Sequence, residues 1–358
     1  MAGGQGTRLW PKSRRALPKQ FMTLRNQPSL FQQTLMRMTQ VVDTCHLYVV
    51  HLYVVVPPEY VPWVEQQAPA LTPGQIIVEP SRHGTLASLG FALTWLQSAP
   101  VSDSGLPMDS EDIVVLLPTD AYVDDEVAFQ KCLLDSVEVA KSTSAVVTIG
   151  VRPDYPATGY GYIYTGSEWL GPAQRVLRFI EKPSLDDAQR YSSDPRYLWN
   201  AGIFVWQASV VWQLFRHYQP EISHRLQQWA KDWTILENAK LKRQYEELPN
   251  IPFEYALVEK ATDIYVVPAP FQWTDLGTWT ALLEHVGLSA HDSESPVLIL
   301  DAKRCLVANE EGLVTLLGVE DLIVVRTHDT VFVCHRNRQD DIKRLLALVE
   351  QLGYDDYL

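Results

Sequence analysis

The spacing of apolar residues changes rhythm along this chain, and the changes mark its elements. Residues 1–27 show little periodicity and are rich in glycine and basic side chains, the pattern of a loop. From 28 to 41 apolar residues recur at helical spacing, with Leu30, Phe31, Leu35, Met36 and Met38 on the faces and Pro28 at a first-turn position. Short runs rich in β-branched and aromatic residues then alternate with helical stretches. Strands are predicted at 75–78, 113–117, 145–151, 161–164, 176–181, 200–205 and 264–267. Helices are predicted at 85–96, at 126–141, within 207–248 and at 278–285. Such alternation predicts an α/β domain around a mostly parallel sheet. The stretch 287–296 is polar and rich in turn residues, so it reads as a linker. After it come five short apolar strands with no helices between them, at 297–300, 305–308, 313–317, 322–325 and 331–333, followed by an amphipathic helix at 341–352. Their close spacing predicts a small β-helix or β-roll. The expected domains are therefore 1–287 and 288–358. One oddity is a repeat: His46-Leu47-Tyr48-Val49-Val50 is followed at once by His51-Leu52-Tyr53-Val54-Val55. A strand of about 5–6 residues needs one copy, so the other extends it or bulges, and no function is assigned to it.

Composition narrows the function. The 358 residues suit a large α/β domain plus a smaller one. No apolar run reaches the roughly 18–20 residues of a membrane span, and no signal peptide opens the chain, so a cytoplasmic location is expected. A net charge of −13 repels nucleic acid and anionic membranes. Against that field stands one basic cluster, Arg8, Lys12, Arg14, Arg15 and Lys19, with no acid among them. A small basic patch on an acidic body fits a small polyanionic ligand. The cysteines Cys45, Cys132, Cys305 and Cys334 form no C-x-x-C pair, and no histidine cluster supplies zinc spacing, so buried free thiols are expected.

The opening loop carries the chemistry. A nucleoside triphosphate needs dense N–H donors, and glycines let a backbone approach phosphates at φ > 0. Gly3, Gly4 and Gly6 meet that need, Thr7 lies among them, and Arg8 and Lys19 add charge for the oxygens. The Walker pattern G-x-x-x-x-G-K-[ST] is absent, and Gly4-x-Gly6 lacks the third glycine of the dinucleotide fingerprint. A bare GG-x-G would still be an ordinary turn. The longer string is more specific: Gly3-Gly4-Gln5-Gly6-Thr7-Arg8-Leu9-Trp10-Pro11, then Ser13-Arg14 and Pro18-Lys19-Gln20-Phe21, resembles the signature of mannose-1-phosphate guanylyltransferases. The resemblance covers nearly the whole chain. It recurs in order at Glu79-Pro80, Pro118-Thr119-Asp120, Thr158-Gly159-Tyr160-Gly161-Tyr162, Phe179-Ile180-Glu181-Lys182-Pro183, Trp199-Asn200-Ala201-Gly202 and Trp273-Thr274-Asp275-Leu276-Gly277. The tail at 317–325 is similar to that family's C-terminal β-helix.

The resemblance implies a Rossmann-like nucleotidyltransferase domain plus a small left-handed β-helix-like domain, joining GTP and mannose 1-phosphate. It implies that Asp120 and Asp275 hold Mg²⁺, a hard ion suited to oxygen ligands; from spacing alone, each aspartate would as readily cap a helix. Arg8 and Lys19 would hold the triphosphate. Lys182 would steer the sugar phosphate with Glu181 on its hydroxyls, although a solvated Glu–Lys pair is the commoner fate of that dipeptide. Asn200, Gly202 and Gly161 would face the sugar, against the plainer reading of a tight turn and a β-bulge. Trp199, Trp206 and Phe204 are expected in the core. Glu79 would read guanine through its N–H donors, with Thr85 close to the nucleotide. Two departures touch specificity: His83-Gly84-Thr85-Leu86 stands where the family has Arg-Asn-Thr-Ala, and Glu254 where it has Asp. Another sugar phosphate or NTP, or a non-catalytic sugar-nucleotide-binding subunit, are the alternatives; the latter would be expected to lose its phosphate and metal ligands. The β-helix makes a homodimer plausible. In the family a buried strand precedes the loop, whereas Met1 opens directly on it, so a chain extended upstream is expected to be more stable and more active.

Overall fold

The computed structural model describes residues 1–4, 6–23, 27–44, 51–98, 108–232, 238–285 and 295–358. Gln5, Cys45, the first copy of the repeat and most of the linker lie outside these residues. The chain divides into two compact units that do not follow chain order. The first contains Met1–Gly3, Arg37–Pro118 and Val123–Trp273, and the second Gly4–Met36, Thr119–Tyr122 and Thr274–Leu358.

In chain order the described elements begin with α1 (Leu30–Thr44), β1 (Val54–Val56), α2 (Val61–Gln67), β2 (Ile76–Val78), α3 (Thr85–Ser98), β3 (Ile113–Leu116), β4 (Tyr122–Val123), α4 (Glu126–Thr143) and β5 (Val146–Val151). They continue with β6 (Gly161–Leu170), β7 (Ala173–Glu181), α5 (Leu185–Ser193), β8 (Tyr197–Gln207), α6 (Ala208–Tyr218), α7 (Pro220–Asp232), α8 (Asn238–Glu246), α9 (Phe253–Ala256), β9 (Ile264–Pro268), β10 (Trp273–Thr274) and α10 (Trp279–His285). The last are β11 (Val297–Leu300), β12 (Leu306–Asn309), β13 (Val314–Leu317), β14 (Leu322–Arg326), β15 (Val331–His335) and α11 (Ile342–Gln351).

The first unit is built on a six-stranded sheet of order β3-β8-β5-β9-β7-β6, with β8 also pairing β6. The α/β class is as expected, but the strand directions are not mostly parallel. Among the described pairings of this sheet only β5–β9 is parallel; β3–β8, β5–β8, β6–β7, β6–β8 and β7–β9 run antiparallel. For β6 and β7 the reason is local. Alternation presumes a helical crossover between strands, whereas β6 and β7 join through the two residues Gly171-Pro172, with Gly171 at φ +58. A residue with a β-carbon resists that conformation, and a hairpin reverses direction where a crossover would preserve it. The small β1–β2 ladder is parallel, and the second copy of the repeat supplies β1. β5, with sequence VVTIGV, is buried at every position, as a central strand must be. α4 packs on β5, β8 and β9 and begins where the Asp125 carboxylate accepts from Ala128 N–H. Trp199, Trp206 and Phe204 are all core residues, as expected. Two backbone bonds hold the first residues: the Met1 amine donates to Leu117 O and Ala2 N–H to Val55 O.

The second unit is β-helix-like. β11 pairs β13 and β12 pairs β14 in parallel, and β15 closes antiparallel on β14. Its core joins Leu9 and Trp10 of the opening segment to Trp279, Ile323, Val325, Phe332 and Ile342. Trp279 Nε1 donates to Trp10 O, and the Trp10 and Phe332 rings meet edge-on. The opening basic cluster is split in two here. Lys12 pairs with Glu310 just after β12, Arg14 with Asp329 in the turn between β14 and β15, and Arg15 with Glu350 of α11. Cys132 is buried in the first unit and its thiol is pushed up to about 12 by burial; Cys305 and Cys334 are half-buried, and all three are free. No described helix is long and apolar enough to cross a membrane.

Candidate active site

In the second unit the loop turns at Gly6, whose φ is +63. A β-carbon there would lie 2.2 Å from Lys19 Cβ, so glycine is required twice, by conformation and by space. Gly6 O accepts from Leu9 N–H and from Ser13 Oγ, which closes the one-turn helix Thr7–Leu9 behind it. Among the described residues nothing accepts from the N–H groups of Gly3, Gly4, Gly6 or Thr7. A run of open backbone donors is what an oxyanion needs.

Lys19 follows Pro18 into a second short turn, and its side chain is only 5% exposed. Its ammonium donates to Asp120 Oδ2 at 2.7 Å and to the main-chain oxygen of Asp275. Asp120 comes from the segment after β3 and Asp275 from the turn after β10. That turn is tight: Asp275 Oδ1 accepts from Gly277 N–H at 2.8 Å, and Leu276 between them has φ +44. A non-glycine residue held at positive φ costs energy that the surroundings must offset, and such residues gather at functional sites. Arg8 Nη2 stands 3.7 Å from Asp275 Oδ2. Thus Arg8, Lys19, Asp120 and Asp275 meet, two cations and two carboxylates, with each aspartate about a third exposed. Neither aspartate caps a described helix.

The first unit brings together a second group. Gly161 opens β6, where any β-carbon would lie 2.7 Å from Glu181 Oε2. Glu181 ends β7; its N–H donates to Glu259 Oε1, and its Oε1 accepts from Lys182 Nζ at 2.7 Å. Lys182 itself has φ +47. The Glu–Lys pair is therefore formed, on a backbone too constrained for an ordinary strand end. Glu254 faces Glu181, Lys182 and Thr85. Burial pushes its carboxyl up to about 7; the Glu181 charge adds to this, while its own backbone N–H, Lys182 and the Thr85 hydroxyl oppose it. Thr85 Oγ1 also accepts from Phe253 N–H at 3.1 Å, so Thr85 stands with this carboxylate group. Asn200 and Gly202 form a bulge in β8, where the pairing with β5 shifts and Gly202 takes φ +72. Asn200 Oδ1 accepts from Gly202 N–H and lies 3.0 Å from Thr148 Oγ1, whose single proton also has Ile203 O in reach, and among the described residues the amide nitrogen meets no acceptor.

Glu79 forms a third centre. It is 2% exposed, and its Oε2 accepts from Ser88 Oγ and Tyr245 OH. Burial raises its carboxyl above the usual range, against those two hydrogen bonds. Arg82 Nη2 donates to Gly3 O, tying the same segment to the loop's first glycine. Ser88, Tyr245, Glu259 and Gly277 were not predicted. Glu259 and Gly277 sit beside predicted residues, but nothing in sequence spacing relates Tyr245 to a carboxylate 166 positions away.

Comparison with known proteins gives the family. Residues 1–290 match the nucleotidyl transferase family, and 295–352 match the MannoseP isomerase/GMP-like beta-helix domain. A mannose-1-phosphate guanylyltransferase of Escherichia coli (strain K12) is 34% identical, over 100% of this chain and 74% of its own length. The xanthan biosynthesis protein XanB of Xanthomonas campestris pv. campestris (strain B100) is 32% identical, over 99% of this chain and 73% of its own. A crystal structure described as mannose-1-phosphate geranyltransferase from Thermus thermophilus superposes with a TM-score of 0.81 at 28% identity, covering 98% of each chain. The chain is therefore a nucleotidyltransferase that belongs to the nucleotidyl transferase family, among its mannose-1-phosphate guanylyltransferases.

Proposed function

We propose that this chain transfers GMP from GTP to mannose 1-phosphate, giving GDP-mannose and pyrophosphate. The observation that carries the reading is the cluster of Arg8, Lys19, Asp120 and Asp275 beside a loop of open N–H donors. A phosphate oxygen of the sugar phosphate attacks the α-phosphorus in line, and the bond from that phosphorus to the bridging oxygen of pyrophosphate breaks. No protein nucleophile is needed, so positioning and charge neutralisation carry catalysis. The loop and Arg8 hold the triphosphate. Lys182 neutralises the incoming phosphate, Glu181 accepts from sugar hydroxyls, and Asn200 offers its amide. Glu79 accepts from the N–H edge of guanine.

The aspartate pair fits a hard divalent ion such as Mg²⁺. Two hard oxygen donors from different segments are each partly open to solvent, and the cations now beside them, Lys19 at Asp120 and Arg8 at Asp275, would turn to the triphosphate when the ion and nucleotide bind. When bound, such an ion neutralises triphosphate oxygens and the charge on leaving pyrophosphate. The test of this reading is pyrophosphate release across a panel of NTPs and sugar 1-phosphates. GTP with mannose 1-phosphate is expected to be the best pair. Release only with another pair favours the same chemistry on other substrates, a reading supported by Glu254 and by His83-Gly84-Thr85. Ligand binding without turnover in Mg²⁺ establishes the non-catalytic alternative.

A further inference from the structure

Glu79 presents its two oxygens unequally. Oε2 is saturated by protein: Ser88 Oγ of α3 donates at 2.6 Å and Tyr245 OH of α8 at 2.5 Å, and the two hydroxyls lie 3.4 Å apart. Among the described residues nothing donates to Oε1, which faces the loop; a β-carbon on Gly3 would stand 3.5 Å from it. Tyr245 is 0% exposed, and its ring packs edge-on against Phe91 at 5.7 Å. The chain just beyond Tyr245 grips the neighbouring residues as well. Leu248 O lies 2.6 Å from His83 Nε2, and Ile251 O accepts from Leu86 N–H. Gly84 is pressed so close that a β-carbon would lie 2.6 Å from Ile251 N. The segment 79–88 is therefore clamped by the segment 245–251.

We propose that Tyr245, assisted by Ser88, is a positioning residue for base selection: its hydroxyl fixes the Glu79 carboxylate so that Oε1 accepts from the N1–H and N2–H₂ donors of guanine. This rests on the reading of Glu79 as the base-contacting carboxylate. A buried carboxylate is costly unless hydrogen-bonded, and one deprived of a donor turns, or takes up a proton. A protonated carboxyl is itself a donor and matches guanine poorly. Tyr245 has no accessible surface to offer a base, so its effect passes through Glu79.

The experiment uses the full chain with Tyr245→Phe, Ser88→Ala and Glu79→Gln, and measures kcat and KM for GTP and ATP at saturating mannose 1-phosphate, and the KM for mannose 1-phosphate at saturating GTP. Tyr245→Phe keeps the ring and its packing. It is expected to raise the KM for GTP about tenfold, the usual scale for one hydrogen bond to a charged group, and to narrow the preference for GTP over ATP. kcat and the KM for mannose 1-phosphate stay within about twofold, a split that general loss of structure does not produce. Ser88→Ala shifts the preference the same way by less, and decides the matter alone if Tyr245→Phe does not fold. An unchanged GTP-to-ATP ratio in the folded variants overturns the proposal. Glu79→Gln separates the two layers: if it abolishes the preference while Tyr245→Phe and Ser88→Ala preserve it, the positioning role falls and the base contact stands. If Glu79→Gln preserves it, the base contact itself falls.

Discussion

Gly277→Ala tests the phosphate-side cluster with one carbon atom. A methyl at 277 would lie 2.4 Å from Asp275 Oδ2 and 2.8 Å from Arg8 Nη2. Side-chain carbons essentially never approach heavy atoms closer than 3.0 Å, so the carboxylate must retreat by at least 3.0 − 2.4 = 0.6 Å. Both obstructing atoms end side chains about a third exposed, which can rotate away. Overpacking of this kind costs about 1–3 kcal/mol, and the low end is expected because the backbone need not move. The chemistry is less forgiving: a misplacement of roughly 1 Å at a reacting centre costs about 100-fold in rate. Urea unfolding should therefore show a loss near 1 kcal/mol, while kcat/KM falls about 100-fold and half-saturation by Mg²⁺ rises. Wild-type turnover and Mg²⁺ dependence in a folded Gly277→Ala protein would refute the placement of Asp275 at the metal. A stability loss above about 3 kcal/mol would instead show that the turn cannot yield, and the rate loss would no longer report on the carboxylate.

The sugar-side group offers two further checks. Gly161→Ala drives a methyl against Glu181 Oε2 and should raise the KM for the sugar phosphate about tenfold, leaving the KM for GTP unchanged; equal effects on both would detach Gly161 from the sugar. Glu254 gives a pH test. Its carboxyl sits at about 7 in the folded chain against 4.5 in the ordinary state, so the folded form keeps a proton that the unfolded chain loses. The associated stability is complete below about pH 4.5 and is lost as the pH rises through 7. Glu254→Gln cannot ionise, and it should flatten unfolding free energy between about pH 5 and 8 by on the order of 3 kcal/mol. Parallel curves for the two proteins would exclude that titration.

How much of this was legible in the sequence depended on range. β5 was readable because six consecutive residues are buried and five of them are apolar or threonine-sized packing residues. The start of α4 was readable within a residue. The outer halves of β6 and β7 were not, because Ser167 and Glu168 sit on exposed strand surface and Gln174 and Arg175 are only half-buried, so no apolar alternation is required there. α2 was missed because Val61-Pro62 looks like a break, whereas proline at the first turn of a helix loses no hydrogen bond. At the site, Arg8, Lys19, Asp120 and Asp275 belong to short recognisable strings, and the structure gathers them. The placement of Thr85 beside Glu254, the hold of Tyr245 on Glu79 and the fate of Lys12, Arg14 and Arg15 all depend on residues far apart in sequence. Composition presents those last three as part of one basic patch; only the fold shows that they were spoken for.

That pairing bears on how such a chain can be recombined with its relatives. The two family matches meet between residues 290 and 295, which marks an inviting point to exchange the tail. Yet three cations of the opening segment are neutralised by Glu310, Asp329 and Glu350, and Trp10 is seated against Phe332. A foreign tail would meet the wrong charges and leave the stretch between Arg8 and Lys19 without its counterweight. The transferable module is therefore discontinuous: residues 4–36, 119–122 and 274–358 have to travel together, as one inherited piece written at both ends of the chain and once in its middle.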